Sequence, residues 1–289
     1  MREVAYKMYS LKVKNDKGNI LELTENQNYI VYKIGGLSPP QATINSSVNT
    51  TSDGSNINST RVENRNIVIY VSIKGDIEAN RINLYKYFPI KKTVTLYFSN
   101  GARNVCIDGT VELIECDLFA NNQFAQISLI CPKPYFKDIN YLTTYFSDLN
   151  NLLEFPFSIP SEGTQLSQII PNIRKTIINS SDVPTGLVIE LFALGTVVKP
   201  IIYNVHTKEY MSFNLTLEPS DKLVINTNVG EKTVALVRNG ISSNALGYMV
   251  KDSTWFTLNA GDNVFTYDCE SGGVDLQIKF ENPILYSGV

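Results

Sequence analysis

Between Gln126 and Lys137 the sequence reads Gln-Ile-Ser-Leu-Ile-Cys-Pro-Lys-Pro-Tyr-Phe-Lys, and this stretch limits where a folding unit can end. Ile127, Leu129 and Cys131 alternate with Gln126 and Ser128, the period of a strand with one buried face. Pro132 and Pro134 then end it, because proline gives no N–H to a ladder and fixes φ. Tyr135 and Phe136 follow at once, an aromatic pair suited to packing one domain against the next. The expectation is two β domains, 1–137 and 138–289. A chain of 289 residues suits that division, at roughly 100–150 residues per domain.

An apolar fraction of 43% allows each half its own core. Val, Ile, Tyr, Phe and Thr are abundant, which favours strands. The net charge is −3, split as 16 − 12 = +4 through Lys137 and 9 − 16 = −7 beyond it. Neither half carries a Lys/Arg cluster or an aromatic–basic motif, so the charge reads as solvated surface rather than a nucleic-acid footprint. Met1 to Ser10 lacks the apolar run of a signal peptide. The most apolar stretch, Leu187 to Val205, contains Glu190, Lys199 and Pro200, so no membrane span is expected. The expectation is a soluble protein made in a cytosol. The sequons at Asn45, Asn49, Asn58, Asn179 and Asn214 then follow from composition alone. Cys106 and Cys116 flank a possible hairpin, and with Cys131 and Cys269 they read as buried thiols in a reducing compartment.

In the first half Val4, Tyr6 and Met8 alternate and lead into Leu11 and Val13, an edge-type strand. Gly35-Gly36-Leu37-Ser38-Pro39-Pro40 is a break, with glycine for a sharp bend and proline to hold the chain extended. Gln41 to Arg61 is polar, with Asp53-Gly54 turn chemistry between β-tolerant flanks. It reads either as a surface loop or as a long hairpin arm that lies on a neighbouring subunit. Asn66 to Lys74 alternates cleanly through Ile67, Ile69, Val71 and Ile73. Asp76 to Phe88 switches to helical period and stops at Pro89. Strands at 93–98, 104–107, 110–116 and 123–131 complete a small barrel or sandwich.

The second half begins with an aromatic linker, Asp138 to Ser161, including a helical turn near Asp148 to Leu153. Strands follow at 176–179, 186–192, 196–203, 210–217, 222–226 and 232–238, with a hairpin signal at Asn239-Gly240. Further strands read at 248–250, 255–258, 262–267 and 274–280. Many short strands with turn residues between them describe a two-sheet β-sandwich.

Catalytic constellations do not emerge. His206 is a lone histidine in a turn. Glu112 and Glu115 read as an exposed strand face. Trp255 could stack on a sugar ring, but Trp255-Phe256-Thr257-Leu258 fits a packed strand better. Asp252, Asp262, Asp268 and Asp275 match no calcium loop. Neither an enzyme, nor a cofactor, nor a metal site is expected.

Taken together, the segments resemble the distal tail protein (Dit) family of long-tailed phages. In the first half the resemblance rests on the Gly35–Pro40 break, the polar hairpin around Asp53-Gly54 and Arg65-Asn66-Ile67-Val68-Ile69. It continues through Tyr87-Phe88-Pro89, Asp108-Gly109-Thr110-Val111 and Cys131 to Phe136. In the second half it rests on Leu223 to Thr227, Val234 to Gly240, Asp252 to Leu258 and Gly261-Asp262-Asn263. The resemblance implies an all-β fold with one short helix: an N-terminal ring-forming domain and a C-terminal galectin-like sandwich. It implies a homohexamer at the distal tail tip, between the tail tube protein and the tail hub protein that often carries a lysin. DNA would pass through the lumen without specific binding, and the outer domain would anchor receptor-binding or baseplate proteins; no membrane is involved. Some relatives carry an inserted carbohydrate-binding module, for which this chain has no room; a lectin-like role remains the alternative. If the arm is the subunit contact, Asn49, Asp53, Gly54, Asn56 and Thr60 are its candidate interface residues.

Overall fold

The computed structural model describes residues 9–48, 53–120, 123–151, 167–171 and 174–289. They form two compact units, Met1–Ile139 with Leu285–Val289, and Asn140–Ile284. The chain is all-β with one short α-helix among the described residues. No described helix is long and apolar enough to cross a membrane.

In the first unit β1 (Ser10–Lys14), β2 (Ile20–Glu22), β3 (Tyr29–Gly35), β4 (Ala42–Val48), β5 (Ser55–Val62) and β6 (Arg65–Ile73) precede α1 (Ile77–Tyr87). Then come β7 (Thr93–Ser99), β8 (Asn104–Cys116), β9 (Phe124–Cys131) and β10 (Phe136–Tyr145). The antiparallel order is β2-β1-β7-β8-β9-β6-β3. β1 therefore sits between two partners rather than at an edge; Val4, Tyr6 and Met8 lie outside the described residues. Ile67, Ile69, Val71 and Ile73 all point into the core, as their alternation requires. Asp76 caps α1 by accepting from the Ala79 N–H at 3.1 Å. Leu84 and Phe88 bury the helix against the same core, and Pro89 follows the last turn.

Two features differ from the expectation. The strands read at 104–107 and 110–116 are one strand, β8. Gly109 marks a close approach instead of a turn: a Cβ there would lie 2.9 Å from Cys131 Sγ and 3.1 Å from Leu129 Cβ. Cys106 and Cys116 thus share a strand, and all four cysteines are free thiols. Cys131 behaves as a small core hydrophobe, and burial pushes its thiol up to about 12. Beyond the prolines, β10 rejoins the other end of β8 through Lys137↔Cys106 and Asp138↔Val105. Phe136 is buried in the first unit's own core.

The second unit opens with a ribbon of β11 (Ser147–Asn151) and β12 (Ser167–Pro171) where a helical turn was expected. The partner strand supplies the pairing, which local sequence does not reveal. Then follow β13 (Arg174–Asn179), β14 (Val188–Ala193), β15 (Val197–Val198), β16 (Ile201–Asn204), β17 (Tyr210–Ser212) and β18 (Thr216–Leu217). The last are β19 (Lys222–Asn226), β20 (Thr233–Arg238), β21 (Ile241–Asn244), β22 (Gly261–Asp268) and β23 (Leu276–Tyr286). One sheet runs β23-β14-β19-β20-β21 and the other β13-β22-β16-β17. Their inner faces meet in a core threaded by a chain of tilted and edge-on ring contacts. Phe146–Phe280 and Phe280–Phe265 are 5.2 Å apart, and Phe265–Phe256 5.3 Å. This is the β-sandwich the sequence implies.

Several expected boundaries move. Lys199, at φ 49°, and Pro200 break the 196–203 run into β15 and β16. Leu246–Tyr248 is a 3₁₀ turn. Trp255 to Leu258 forms no strand, only an isolated bridge, Leu258 to Thr185. Asn239 and Gly240, at φ 51° and 76°, make the tight turn joining β20 to β21.

Asp221 anchors that sheet. Its carboxylate is buried, takes the Glu218 N–H at 2.8 Å and faces the Arg238 guanidinium, with Nε at 2.9 Å. Arg238 first, and the Glu218 N–H after it, hold the carboxyl below its usual range. Asp221→Ala is expected to cost about 2 kcal/mol, read by urea unfolding on the fluorescence of Trp255, the only tryptophan. Because the folded-state value is depressed, this contribution is present above the ordinary aspartate value of about 3.9. It is lost as pH falls through the lower folded value.

Candidate functional site

β4 and β5 pair only with each other among the described residues, forming a ribbon that stands apart from the main sheet. This is the hairpin read between Gln41 and Arg61. Its tip contains Asp53 and Gly54, the latter at φ 90°. The ladder runs Ala42↔Val62, Thr43↔Arg61, Ile44↔Thr60 and Asn45↔Ser59, then shifts by one residue to Ser46↔Ile57, Ser47↔Asn56 and Val48↔Ser55. Asn58 is the extra residue.

That shift decides the chemistry of the two faces. Residues directly opposite one another share a face. Were Asn58 paired with Ser46 in an unshifted ladder, Ile57 would fall among the polar residues; with Asn58 bulged out, Ile57 joins Ile44 and Val48. One face therefore carries Ile44, Val48, Ile57 and Val62, which are 59%, 77%, 65% and 40% exposed. The other carries Thr43, Asn45, Ser47, Asn56, Ser59 and Arg61. Asn45 Nδ2 donates to Ser59 Oγ at 3.0 Å across it. Of the candidate interface residues, Asp53 and Gly54 are at the tip, Asn56 on the polar face and Thr60 on the apolar one. Asn49 lies outside the described residues. Sequence reading took the segment as almost wholly polar and missed the apolar face, because the four aliphatics align only once the register is known.

The root of the arm is built around Arg65, at the start of β6. This arginine is buried, and backbone carbonyls surround its guanidinium. Nε donates to Pro134 O at 2.6 Å, Nη1 to Gly36 O and to Ser38 O (2.6 Å), and Nη2 to Ser287 O at 2.6 Å. The Phe136 ring lies 4.5 Å below it. Burial lowers its pKa from the usual arginine value. Gly36, at φ 84°, has no space for a Cβ, which would fall 2.1 Å from Asn66 O. Beside it, Glu63 accepts from the Thr43 hydroxyl and from Arg61 Nε at 3.2 Å. The Thr43 hydrogen bond, aided by Arg61, holds the Glu63 carboxyl below its usual range.

A second apolar surface lies elsewhere in the first unit. Among the described residues β3 pairs only with β6, and Tyr32 is the extra residue of a bulge in it, so its ring projects outward. Tyr32 meets Phe124 edge-on at 6.4 Å. Leu118, Phe119 and Phe124 line an open cavity of about 620 Å³ at the β8–β9 tip. Phe119 is fully exposed.

The residues weighed for chemistry are dispersed. His206 is exposed in the β16–β17 turn, where Asn204 Oδ1 accepts its N–H at 3.1 Å. Glu112 accepts from Ser128 Oγ at 2.9 Å on the exposed face of β8. Trp255 is half-buried against the second core with Lys232 Nζ 5.5 Å from its ring. Asp252, Asp262 and Asp268 are exposed at separate places.

Residues 180–283 match the family described as the C-terminal domain of the siphovirus-type tail component. No curated protein matches the sequence. Among solved structures, the chain is similar to the SPP1 Dit protein, described as a paradigm of the hub adsorption apparatus in phages infecting Gram-positive bacteria. The TM-score is 0.70 at 10% identity, over 96% of this chain and 98% of that one. A chain of the phage P2 baseplate in its activated conformation with Ca is similar with a TM-score of 0.54 at 14% identity, over 97% and 99%. Residues 180–283 thus match the siphovirus-type tail-component family, and the chain as a whole shares the fold of the SPP1 Dit protein.

Proposed function

We propose that this protein is the structural hub at the distal end of a phage tail. Its first unit forms a hexameric ring that joins the tail tube protein to the tail hub protein. The second unit faces outward and anchors receptor-binding or baseplate proteins. DNA passes through the lumen without specific binding, since tight phosphate contacts would stall its passage. The role is architectural rather than enzymatic, and the place is the virion's tail tip after assembly in the host cytoplasm.

The arm carries this reading. A cyclic assembly needs a head-to-tail contact between two different surfaces of one chain. The apolar face of the arm, exposed among the described residues, is one such surface. The exposed edge of β3, with Tyr32 and the Phe119–Phe124 tip, is a second on the same unit. A ribbon laid along a strand edge gains main-chain hydrogen bonds as well as apolar burial.

The test is the mass of the purified protein in solution, with class averages from electron microscopy. Six-fold rings are expected. Deleting Asn45 to Thr60 should leave a folded monomer. A truncated protein that still elutes as a stable hexamer would overturn the arm's role, and a chain that stays single at high concentration would overturn the ring.

A further inference from the structure

After the second unit is complete, Leu285–Val289 belong again to the first. They dock at the place where the arm leaves the sheet. Arg65, which opens β6 just beyond the arm, donates to Ser287 O at 2.6 Å. The Val289 N–H donates to Leu37 O at 3.2 Å, just before the arm. Arg103 donates to Gly288 O and lies 4.1 Å from the Tyr286 ring, while the Tyr286 hydroxyl is 3.2 Å from Asp138 Oδ2. Gly288 presses on the same segment. A Cβ there would lie 3.0 Å from Pro39 Cδ and 3.3 Å from Leu37 O.

Gly36 to Gln41 lies outside any strand. Three consecutive carbonyls in it are held: Gly36 and Ser38 by Arg65, and Leu37 between them by Val289. On the return side the Glu63 N–H closes the root onto Gln41 O at 2.9 Å. A segment without ladder bonds takes its direction from such fixed points, and losing them lowers its local opening free energy.

We propose that Tyr286–Val289 are a latch on the arm's root. Docked, they and Arg65 fix the path of Gly36 to Pro40 and so the direction in which β4 and β5 project. Undocked, the root loosens while the sheet beneath it persists. The latch stands on the geometry of the root; its purpose rests on the arm being the assembly surface.

Hydrogen exchange of the full protein tests it, with the Glu63 amide as reporter and the Ile69 and Val71 amides of β6 as internal control. Two variants displace the latch: Gly288→Val, and a chain ending at Tyr286. Glu63 is expected to exchange at least about tenfold faster in both, with β6 unchanged. Glu63 exchanging at the wild-type rate in both variants would overturn the latch. Should β6 loosen as well, the milder Gly288→Ala, which crowds Pro39 and the Leu37 carbonyl, decides by the same two reporters. Solution mass on the same samples keeps the two readings apart. Faster Glu63 exchange in a wild-type background that forms no ring sustains the latch and sinks the ring; a ring with unchanged exchange does the reverse.

Discussion

Arg65→Ala is expected to cost the first unit about 4 kcal/mol, more than any other single polar substitution in it. The side chain is 3% exposed and its guanidinium serves four carbonyls from three distant stretches, at residues 36–38, 134 and 287. Alanine would leave those buried oxygens without their charged donor, and the water that could enter replaces a charge-assisted bond only in part. It would also leave Phe136 facing a cavity. Arg65→Lys should recover less than half the loss, because one ammonium cannot spread over a fork of donors. Urea unfolding followed by far-ultraviolet circular dichroism measures both. An alanine variant within about 1 kcal/mol of the parent would show that the carbonyls find other partners.

Ile57→Asp is expected to convert the assembled protein to monomers while leaving each monomer folded. Ile57 is 65% exposed in the single chain, so a polar replacement costs little there. In an assembly that covers the apolar face, the same change removes about 1.5–3 kcal/mol of burial at every interface. It also places a carboxylate against apolar surface, which costs several kcal/mol more. Ser47→Asp adds the same charge on the opposite face and is the matched control; it should leave the oligomer in place. Size-exclusion chromatography with light scattering reads both. Equal behaviour of the two variants would mean that the face with Ile44, Val48 and Ile57 is not the one covered.

Much of the chain was legible because its signals are local. Ile67 to Ile73 alternates, Asp76 and Pro89 bracket a helical period, and Asn239-Gly240 supplies left-handed backbone for a tight turn. The misreadings came from pairing between distant segments. Asp108-Gly109 looks like a break, yet glycine is required there by Cys131 and Leu129 on the neighbouring strand. Ser147–Asn151 looks helical until Ser167–Pro171 pairs with it. Lys199 and Pro200 interrupt a run of β-formers locally; there the proline was the available signal and the left-handed angle of Lys199 was not. At the arm, Asp53-Gly54 announced the hairpin, but the sorting of its side chains hung on register. Nothing near Arg65 in sequence announces that it binds residues 36, 38, 134 and 287. Side chains that organise several stretches carry no periodic mark.

The surplus residue Asn58 makes curvature and surface chemistry separable in the arm. Excising it would heal the ladder into an unbroken run in which Ile57 directly precedes Ser59 and still faces Ser46, so the greasy side would keep its membership. Only the kink and extra twist would go. In the ring proposed above, closure depends on the angle between neighbours, so a one-residue excision would be a dial for how many copies fit around.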